Sequence, residues 1–295
     1  MFPLSHLTHL LYAFSMRVLS IKPRSDQASK PKELIQISGH QNLSLSARRA
    51  ITLLWHTAHQ QGIEAGKDYT IDLSTLSSPG HNGHARTTAA IITLMQTLIT
   101  IHHPDGSVRR VQFLGGNDMD SPDRPNGTLT YSFDKRLVEV LEDSAIWGKI
   151  SLPILMSLSS KYAVSLYENL AQWAGLSQRI SQTISLEEFR SIIGVEDKKY
   201  KAFGALNKHV IKLIVDEINA LAPFNVSIMP IKTGKKVTDV RLGWWNKSPE
   251  EIKNAWSELQ NVKIGRKARI SGQVSFVFDP SPSVKRLDKV SRIKP

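Results

Sequence analysis

Residues 199–242 constrain the fold more than any other part of the sequence. Their first half has helical periodicity and predicts one long amphipathic helix. The predicted buried face carries Phe203, Leu206, Val210, Leu213, Ile214, Glu217, Ile218 and Leu221. Lysines follow the same spacing on the opposite face, at Lys201, Lys208 and Lys212. The sequence therefore predicts a helix that is buried on one side and basic on the other.

A two-stranded hairpin is predicted directly after this helix. Its tip carries Lys232, Lys235 and Lys236. A helix with one basic face fits the major groove of DNA, and a basic hairpin beside it would contact the neighbouring backbone. The alternative is a surface helix whose lysines are simply solvated, and the adjoining hairpin favours the first interpretation.

The charge of the whole chain indicates an anionic partner. The 295 residues carry a net charge of +12 and have a pI of about 9.8. Such a balance favours nucleic acid over a membrane surface. Residues 261–295 contain nine lysines and arginines against two aspartates, which gives this tail +7 of the total. A tail of this composition binds anions without sequence preference.

Composition also excludes several classes of site and location. The chain has no cysteine, so disulfides and thiolate metal sites are excluded. It has no apolar run long enough to span a bilayer. Residues 1–20 lack the basic start and the cleavage site of a signal peptide, and Met16 is an alternative start. We therefore expect a cytoplasmic protein, and the charge favours its association with nucleic acid.

The length favours two domains and a tail. We predict a flexible N-terminal extension at 1–33, a first domain at 34–150 and a second at 151–247. A C-terminal helix and the basic tail follow at 248–295. Both domains show the same order of elements: a helix, a shorter helix or turn, a second helix and a β-hairpin. The predicted fold class is α+β.

Local signals place several of these elements. A helix begins after Ser44 or Ser46 and ends near Gly62. Asp105-Gly106 is a tight-turn signal between two strands of the first domain. In the second domain, Ser185 with Glu188 predicts a helix start, and Ser248-Pro249 predicts another.

Several motifs of the second domain occur together and in order. Residues 158–173 contain S-K-Y-A and L-Y-E, with matches at Ser160, Lys161, Tyr162, Ala163, Leu166, Tyr167 and Glu168. The predicted long helix adds Tyr200, Phe203, Glu217, Ile218 and Asn219, and the hairpin adds Lys232, Gly234 and Lys235. In these motifs the chain resembles the plasmid replication initiators that bind iterons, specifically their second winged-helix domain.

The resemblance implies a fold and a set of partners. Members of that family are tandem winged-helix proteins that bind repeated double-stranded sites at a plasmid origin. They melt adjacent DNA, help to bring in the host initiator and replicative helicase, and repress their own genes as dimers. We therefore expect a homodimer in equilibrium with monomer. Other interpretations are a winged-helix transcriptional repressor and, from a different class, an origin-nicking enzyme.

The predicted contacts with DNA follow from the basic face and the hairpin. Asn207 and Lys208 are expected at base edges, with Lys199, Lys201 and Lys212 near phosphates. Lys232, Lys235 and Lys236 would hold the backbone from the hairpin. His209 lies either in the groove or at the protein boundary. Relatives often have arginine in this helix, and because arginine suits guanine while asparagine suits adenine, the DNA sequence read does not carry over.

The first domain offers two further sets of candidate contacts. Arg86, Thr87 and Thr88 open its long helix, where hydroxyls and a guanidinium suit phosphate. Simple helix capping explains them equally well. Arg109 and Arg110 follow the Asp105-Gly106 turn and would form the first hairpin contact, with a solvated strand edge as the alternative.

Catalytic, metal and cofactor sites are not expected. The pairs His81 and His84, and His102 and His103, lack acids or a shared face, so a metal site is disfavoured. There is no His-apolar-His triplet, no His-x-x-Arg element and no G-x-x-x-x-G-K-[ST] motif. Trp173, Trp244, Trp245 and Trp256 are predicted to pack in the core or over it rather than to stack on bases. The chain is expected to need no cofactor and not to be an enzyme.

Overall fold

The structure is a computed structural model of the chain. It describes residues 21–37, 40–77, 83–102, 106–121, 124, 126–142, 144–176 and 180–271. Across these ranges, no helix is both long enough and apolar enough to pass through a lipid bilayer.

The first half of the chain combines helices with three small antiparallel sheets, one of which pairs its first and last strands. It opens with strand β1 (Gln27–Pro31), helix α1 (Lys32–Ile35) and a 3-10 turn at His40–Asn42. The elements that follow are α2 (Leu45–Gln61), β2 (Asp68–Asp72), α3 (Leu73–Leu76), α4 (Gly83–Met95), β3 (Leu98–His102), β4 (Val108–Gln112), β5 (Asn117–Met119), β6 (Thr128–Ser132), α5 (Lys135–Glu142) and β7 (Trp147–Ser151). Strands β2, β6 and β5 form one sheet in that order, and β3 pairs with β4 as a hairpin.

One hydrophobic core lies in this half. The Ser44 side chain accepts a hydrogen bond from the backbone N–H of Ala47 and so begins α2, which ends at Gly62 with φ 84°. Between these ends the helix buries Trp55, whose ring lies 6.1 Å from that of Phe133. Tyr69 from β2 packs against the same phenylalanine at 5.8 Å. Helix and sheet thus meet through aromatic side chains.

The second half repeats the combination with longer elements. It contains α6 (Leu152–Ser157), α7 (Lys161–Leu176), β8 (Ser181–Ser185) and α8 (Leu186–Ile193). Helix α9 is continuous but has three parts: Phe203–Leu206, a π-helical turn at Asn207–Ile211, and Lys212–Leu221. It is followed by β9 (Phe224–Thr233), β10 (Lys236–Asn246) and α10 (Pro249–Gln260). Strands β8, β10 and β9 form one antiparallel sheet in that order.

Helix ends in this half follow the sequence signals. Ser185 accepts from the N–H of Glu188 at the start of α8, which stops at Gly194 in the left-handed conformation. Ser248 and Glu251 form a full capping box at the start of α10. A second core gathers Tyr167 and Phe189 around the inner face of α9.

The two halves share one topology. The first runs α2, β2, α3, α4 and the β3–β4 hairpin, and the second runs α7, β8, α8, α9 and the β9–β10 hairpin. A helix, a strand, a short helix, a long helix and a hairpin make a winged helix. The α+β fold with two winged helices in tandem is therefore confirmed.

The prediction of a flexible extension at 1–33 is wrong for its last part. Residues Gln27–Pro31 form β1, which pairs along its length with β7. Ala28 and Lys30 are buried there, and Trp55 donates from Nε1 to the Ser29 carbonyl at 2.6 Å. The strand is ordered by partners more than a hundred residues away, which its polar, proline-containing sequence does not show. Residues 1–20 lie outside the described part of the chain.

The end of the chain forms a separate unit. Residues up to Asn261 make one compact unit, and residues from Val262 onward belong to a second. In the second unit, helix α11 (Arg266–Ile270) begins after Gly265, which has φ 76°. The strand predicted at 274–278 and the rest of the basic tail lie outside the described residues.

Candidate nucleic-acid interface

Helix α9 presents four polar side chains to solvent on one side. Asn207, Lys208, His209 and Lys212 are all exposed. The opposite side is fully buried, with Leu206, Val210, Ile214 and Ile218 almost inaccessible. The predicted division into a buried and a basic face therefore holds for the central part of the helix.

The π-helical turn changes which residues lie on each face. A π turn contains one more residue than an α turn, so the pattern beyond it shifts by about one position. As a result, Ile211 is buried, although the predicted stripe omits it. Leu213, which the stripe includes, is 42% exposed. Its placement on the buried face is wrong, and the outer face carries one apolar side chain beside Lys212.

Two lysines of the predicted helical segment, one of them from its basic face, precede the observed helix. Lys199 and Lys201 are exposed, but α9 begins only at Phe203. Tyr200 has φ 50° and Ala202 is extended, so neither conformation can continue a helix. The assignment of these lysines to the helix is corrected: they lie in the connection from α8. Both remain at the end of the helix that enters the groove in helix-turn-helix proteins.

The second hairpin carries its lysines at the tip, as predicted. Strands β9 and β10 pair down to Thr233 and Lys236, with Gly234 at φ 62° in the turn. Lys232, Lys235 and Lys236 are all exposed. The turn is thus narrow, basic and free of apolar side chains.

One carboxylate balances part of the charge near the helix start. Glu196 lies 2.8 Å from the Nζ of Lys199 and 3.1 Å from that of Lys161. Hydrogen bonds from Lys199 and then Lys161 lower the pKa of Glu196. The same bond raises the pKa of Lys199, so this lysine stays charged. About half of the Lys199 side chain remains exposed and can reach a further anion.

The residues that carry the family resemblance are mainly structural. The Glu217 carboxylate accepts the backbone N–H of Ser159 at 2.6 Å. Asn219 exchanges two hydrogen bonds with the backbone of Val226 and so ties the end of α9 to β9. Lys161 donates to the Gln41 carbonyl at 2.7 Å. These side chains hold the winged helix together and leave the exposed face of α9 free to vary.

Comparison with protein families identifies the chain. The model of the initiator replication protein, WH1, matches residues 27–171, and that of the initiator Rep protein, WH2, matches residues 185–244. Together they cover more than half of the sequence. The chain belongs to the initiator Rep protein family. No curated protein matches its sequence.

Solved structures show the same fold for initiators. The Pi initiator protein in complex with iteron DNA is similar with a TM-score of 0.57 and 18% identity, over 77% of this chain and 99% of that one. At this identity the likeness establishes the fold. Selenomethionine derivatives of domains 2 and 3 of RctB align over 81% of this chain and 99% of that one, with 10% identity. Their TM-score of 0.40 is too low to support an inference.

In the first winged helix of this initiator, only part of the predicted set is accessible. Arg86 on α4 is exposed. Thr87 is 3% exposed, and its hydroxyl donates to the Gly83 carbonyl at 3.0 Å, so its predicted contact with phosphate is wrong. Thr88 is half-buried and donates to the His84 carbonyl at 3.1 Å. Both threonines bond to carbonyls in the preceding turn of their own helix, so they do not act as the helix caps of the alternative interpretation.

Arg109 and Arg110 lie on β4, beside basic residues that the sequence analysis missed. They border an open cleft of about 540 Å³ together with Lys135 and Arg136 from the start of α5. Arg110 is exposed, whereas Arg109 pairs with Glu139 at 3.3 Å. The Lys135-Arg136 pair directly follows Asp134, which caps the helix by accepting from the Arg136 N–H. The Asp134 cap is a sequence signal for the start of α5. No local sequence feature shows that the start of α5 lies beside β4.

The remaining candidate side chains are tryptophans and histidines. Trp244 is buried and packs 5.7 Å from Trp173, as predicted. Trp245 and Trp256 are 47% and 60% exposed, so their placement in or over the core is wrong. Trp245 follows the buried Trp244 on β10, and Trp256 lies on α10. Among the described residues, no group of three metal-ligating side chains occurs; His81 and His103 lie outside them.

Proposed function

We propose that this chain binds double-stranded DNA specifically and initiates plasmid replication from repeated sites at its origin. The observation that carries the proposal is the exposed polar face of α9, with a basic hairpin tip, in a member of the initiator Rep family. The net charge of +12 supports an anionic polymer as the ligand. The Pi initiator, which has the same fold, was solved with iteron DNA.

The exposed side chains divide into two kinds of contact. Asn207 and Lys208 would read base edges, where an amide pairs with adenine and an ammonium with guanine acceptors. Lys199, Lys201 and Lys212 would neutralise phosphates beside the groove. The hairpin lysines would do the same on the neighbouring backbone. Affinity would then depend strongly on salt, while specificity depends on a few base contacts and on DNA deformation.

Initiation would follow from binding rather than from catalysis. The chain would occupy direct repeats, distort the adjacent DNA, and assemble the host initiator and replicative helicase there. It would exist as a homodimer in equilibrium with monomer and would repress its own gene as the dimer. The proposal assigns it no bond-breaking step and no cofactor.

Replacing Lys208 tests the assignment of α9 as the reading helix. The binding site would first be selected from duplexes with a randomised window of about three helical turns. Lys208→Ala should weaken binding to the selected site by about 1–3 kcal/mol and relax the preference at one base position. The matched control is Lys253→Ala, which removes an exposed lysine from α10. Unchanged affinity and unchanged base preference in the Lys208 variant would show that α9 does not lie in the groove.

Two further assays separate the proposed role from its alternatives. An initiator should maintain an origin plasmid when supplied in trans and open the origin next to its repeats. A repressor would bind and silence its promoter without either effect. A nickase would convert supercoiled origin DNA to the relaxed form, so strand cleavage by the purified protein would refute the proposal.

A further inference from the structure

The connection between α8 and α9, which we call the entry turn, spans residues 194–202. It has two residues in the left-handed region: Gly194 at φ 72° and Tyr200 at φ 50°. Tyr200 is one of only two non-glycine residues with positive φ in the described part of the chain. An aromatic residue in this region is strained, and such strain persists only where surrounding contacts hold it.

Arg190 supplies contacts of that kind. From the last turn of α8, its Nη1 donates to the Tyr200 carbonyl at 2.9 Å. Its Nη2 donates to the carbonyls of Lys199 at 2.7 Å and Glu196 at 3.3 Å. One guanidinium thus holds three carbonyls of the entry turn. The planar fork of arginine allows this arrangement because its N–H donors lie on separate nitrogens. The three N–H donors of a lysine ammonium all lie on one nitrogen.

A second set of contacts ties the entry turn to the rest of the winged helix. The Glu196 carboxylate bonds to Lys161 at the start of α7 and to Lys199 within the turn. The Leu206 N–H bonds to the Ala202 carbonyl at 3.1 Å, which closes the first turn of α9. The path of the chain into α9 is therefore fixed from both sides.

The ring of Tyr200 reaches forward onto α9 itself. It stacks on the imidazole of His209, with centroids 6.0 Å apart and planes 22° from parallel. His209 follows directly after Asn207 and Lys208, the two proposed base-reading residues. The stack occupies one face of the imidazole, so it favours one orientation of His209.

We propose that Arg190 and Tyr200 are positioning residues, which set the direction of α9 and the orientation of His209 before DNA is bound. The inference rests on the proposed function, because positioning matters only if α9 enters DNA. Neither residue is assigned a contact with DNA. His209 is assigned to the protein boundary, where it completes the stack, rather than to a base.

The test measures specific affinity, salt dependence and thermal midpoint on the full chain, with the selected duplex and a random duplex as probes. Arg190→Lys should lower affinity for the selected duplex about tenfold, because the ordering of the entry turn must then be completed during binding. The log–log salt slope is compared in Arg190→Gln, which removes the charge: it should match the parent, whereas loss of one phosphate contact would reduce the slope by about 0.9. The matched control is Arg241→Lys, at an exposed arginine on β10.

Two substitutions at Tyr200 separate the effect of its ring on DNA affinity from its effect on folding. Tyr200→Phe keeps the ring and should bind like the parent. Tyr200→Gly relieves the left-handed conformation, so it should keep the thermal midpoint of the parent. Without the ring it should nevertheless lose about tenfold in specific affinity, for the same reason of lost preorganisation.

The outcomes distinguish this inference from the proposed function. If the parent shows no preference for any selected duplex, the proposed function fails first. If the parent is specific but Arg190→Lys and Tyr200→Gly bind as well as it does, only the positioning role is overturned. A reduced salt slope in Arg190→Gln would instead show a direct phosphate contact and would also overturn it. Should Arg190→Lys fail to fold, the two Tyr200 variants decide.

Discussion

Tyr167 shows how a residue of the family motif acts within the protein. Its side chain is 2% exposed, and its ring stacks on Phe224 with centroids 6.0 Å apart. The hydroxyl accepts the backbone N–H of Ser151 at 3.0 Å. Burial raises the pKa of this phenol, so the hydroxyl stays neutral and can keep that bond at any ordinary pH. Tyr167 therefore joins the end of β7, helix α7 and strand β9.

Replacing Tyr167 by alanine should destabilise the second winged helix severely. The change removes a buried ring and leaves a cavity in the core, at a cost of about 3 kcal/mol or more. Urea unfolding of the full chain measures the loss. Tyr167→Phe is the matched control, since it keeps the ring and loses only the hydrogen bond, worth about 1 kcal/mol. Equal stability of Tyr167→Ala and the parent would contradict the packing described above.

At the scale of elements, α9 combines features that do not favour a stable helix. Gly204 lies in its first turn, and a Cβ built there meets no atom within 4 Å. Its φ is not positive, so neither space nor backbone conformation requires glycine. The π turn that follows is a rare form, frequently found at functional sites. Bare backbone at the helix start suits close approach to a ligand.

Gly204→Ala should separate stability from function. Alanine in a helix is favoured over glycine, so the free energy of unfolding should rise by about 0.5–1 kcal/mol. If the backbone here approaches DNA closely, affinity for the selected duplex should fall at the same time. Urea unfolding and a binding titration on the same preparation measure both. A variant that is more stable and binds as tightly would show that DNA does not come close to Gly204.

The sequence predicted elements well where the signals were local. Helix α2 between Ser44 and Gly62, and α10 after Ser248, have their caps and periodicity within their own residues. Strands β1, β7 and β8 are five residues each and were missed. They owe their order to partners far along the chain, and alternation over five residues is too short to identify them.

The candidate site was predicted less completely than the fold. The exposed lysines of α9 and the hairpin follow from periodicity and turn chemistry. The phase shift at the π turn moved Leu213 outward, and no residue type signals such a turn. Arg190 was overlooked because its three acceptors are backbone carbonyls, which sequence does not distinguish. The sequence also did not show that Thr87 faces inward. Its hydroxyl can be buried there because it donates to the Gly83 carbonyl within the same helix.

At the scale of the whole molecule, a buried polar seam joins the two winged helices. Lys30 is 1% exposed and donates to Glu168 at 2.7 Å and to Thr52 at 2.9 Å. Arg48 bonds to the Ser165 hydroxyl nearby. Burial lowers the pKa of Lys30, and Glu168 opposes that change. Groups from β1 and α2 thus meet α7, within one compact unit.

Removing one partner of this seam should be costly. Lys30→Met leaves the Glu168 carboxylate buried without its closest cation, so stability should fall by about 3–5 kcal/mol. Adding Glu168→Gln removes that charge, and the double variant should lose less than the sum of the two single changes. Urea unfolding of the four proteins of this cycle measures the coupling. Strict additivity would mean that the two side chains do not interact.

The seam also has a consequence for the spacing of DNA contacts. It holds the two winged helices together within one compact unit. On the proposed function, the protein would therefore set the interval that it spans along the duplex. On the proposed function, about five base pairs inserted within one repeat would carry half of the contacts to the far side of the double helix. An insertion of about ten would return them to the facing side, one turn further away. Binding would thus depend on the spacing between the contacted parts of the duplex as well as on their base sequence.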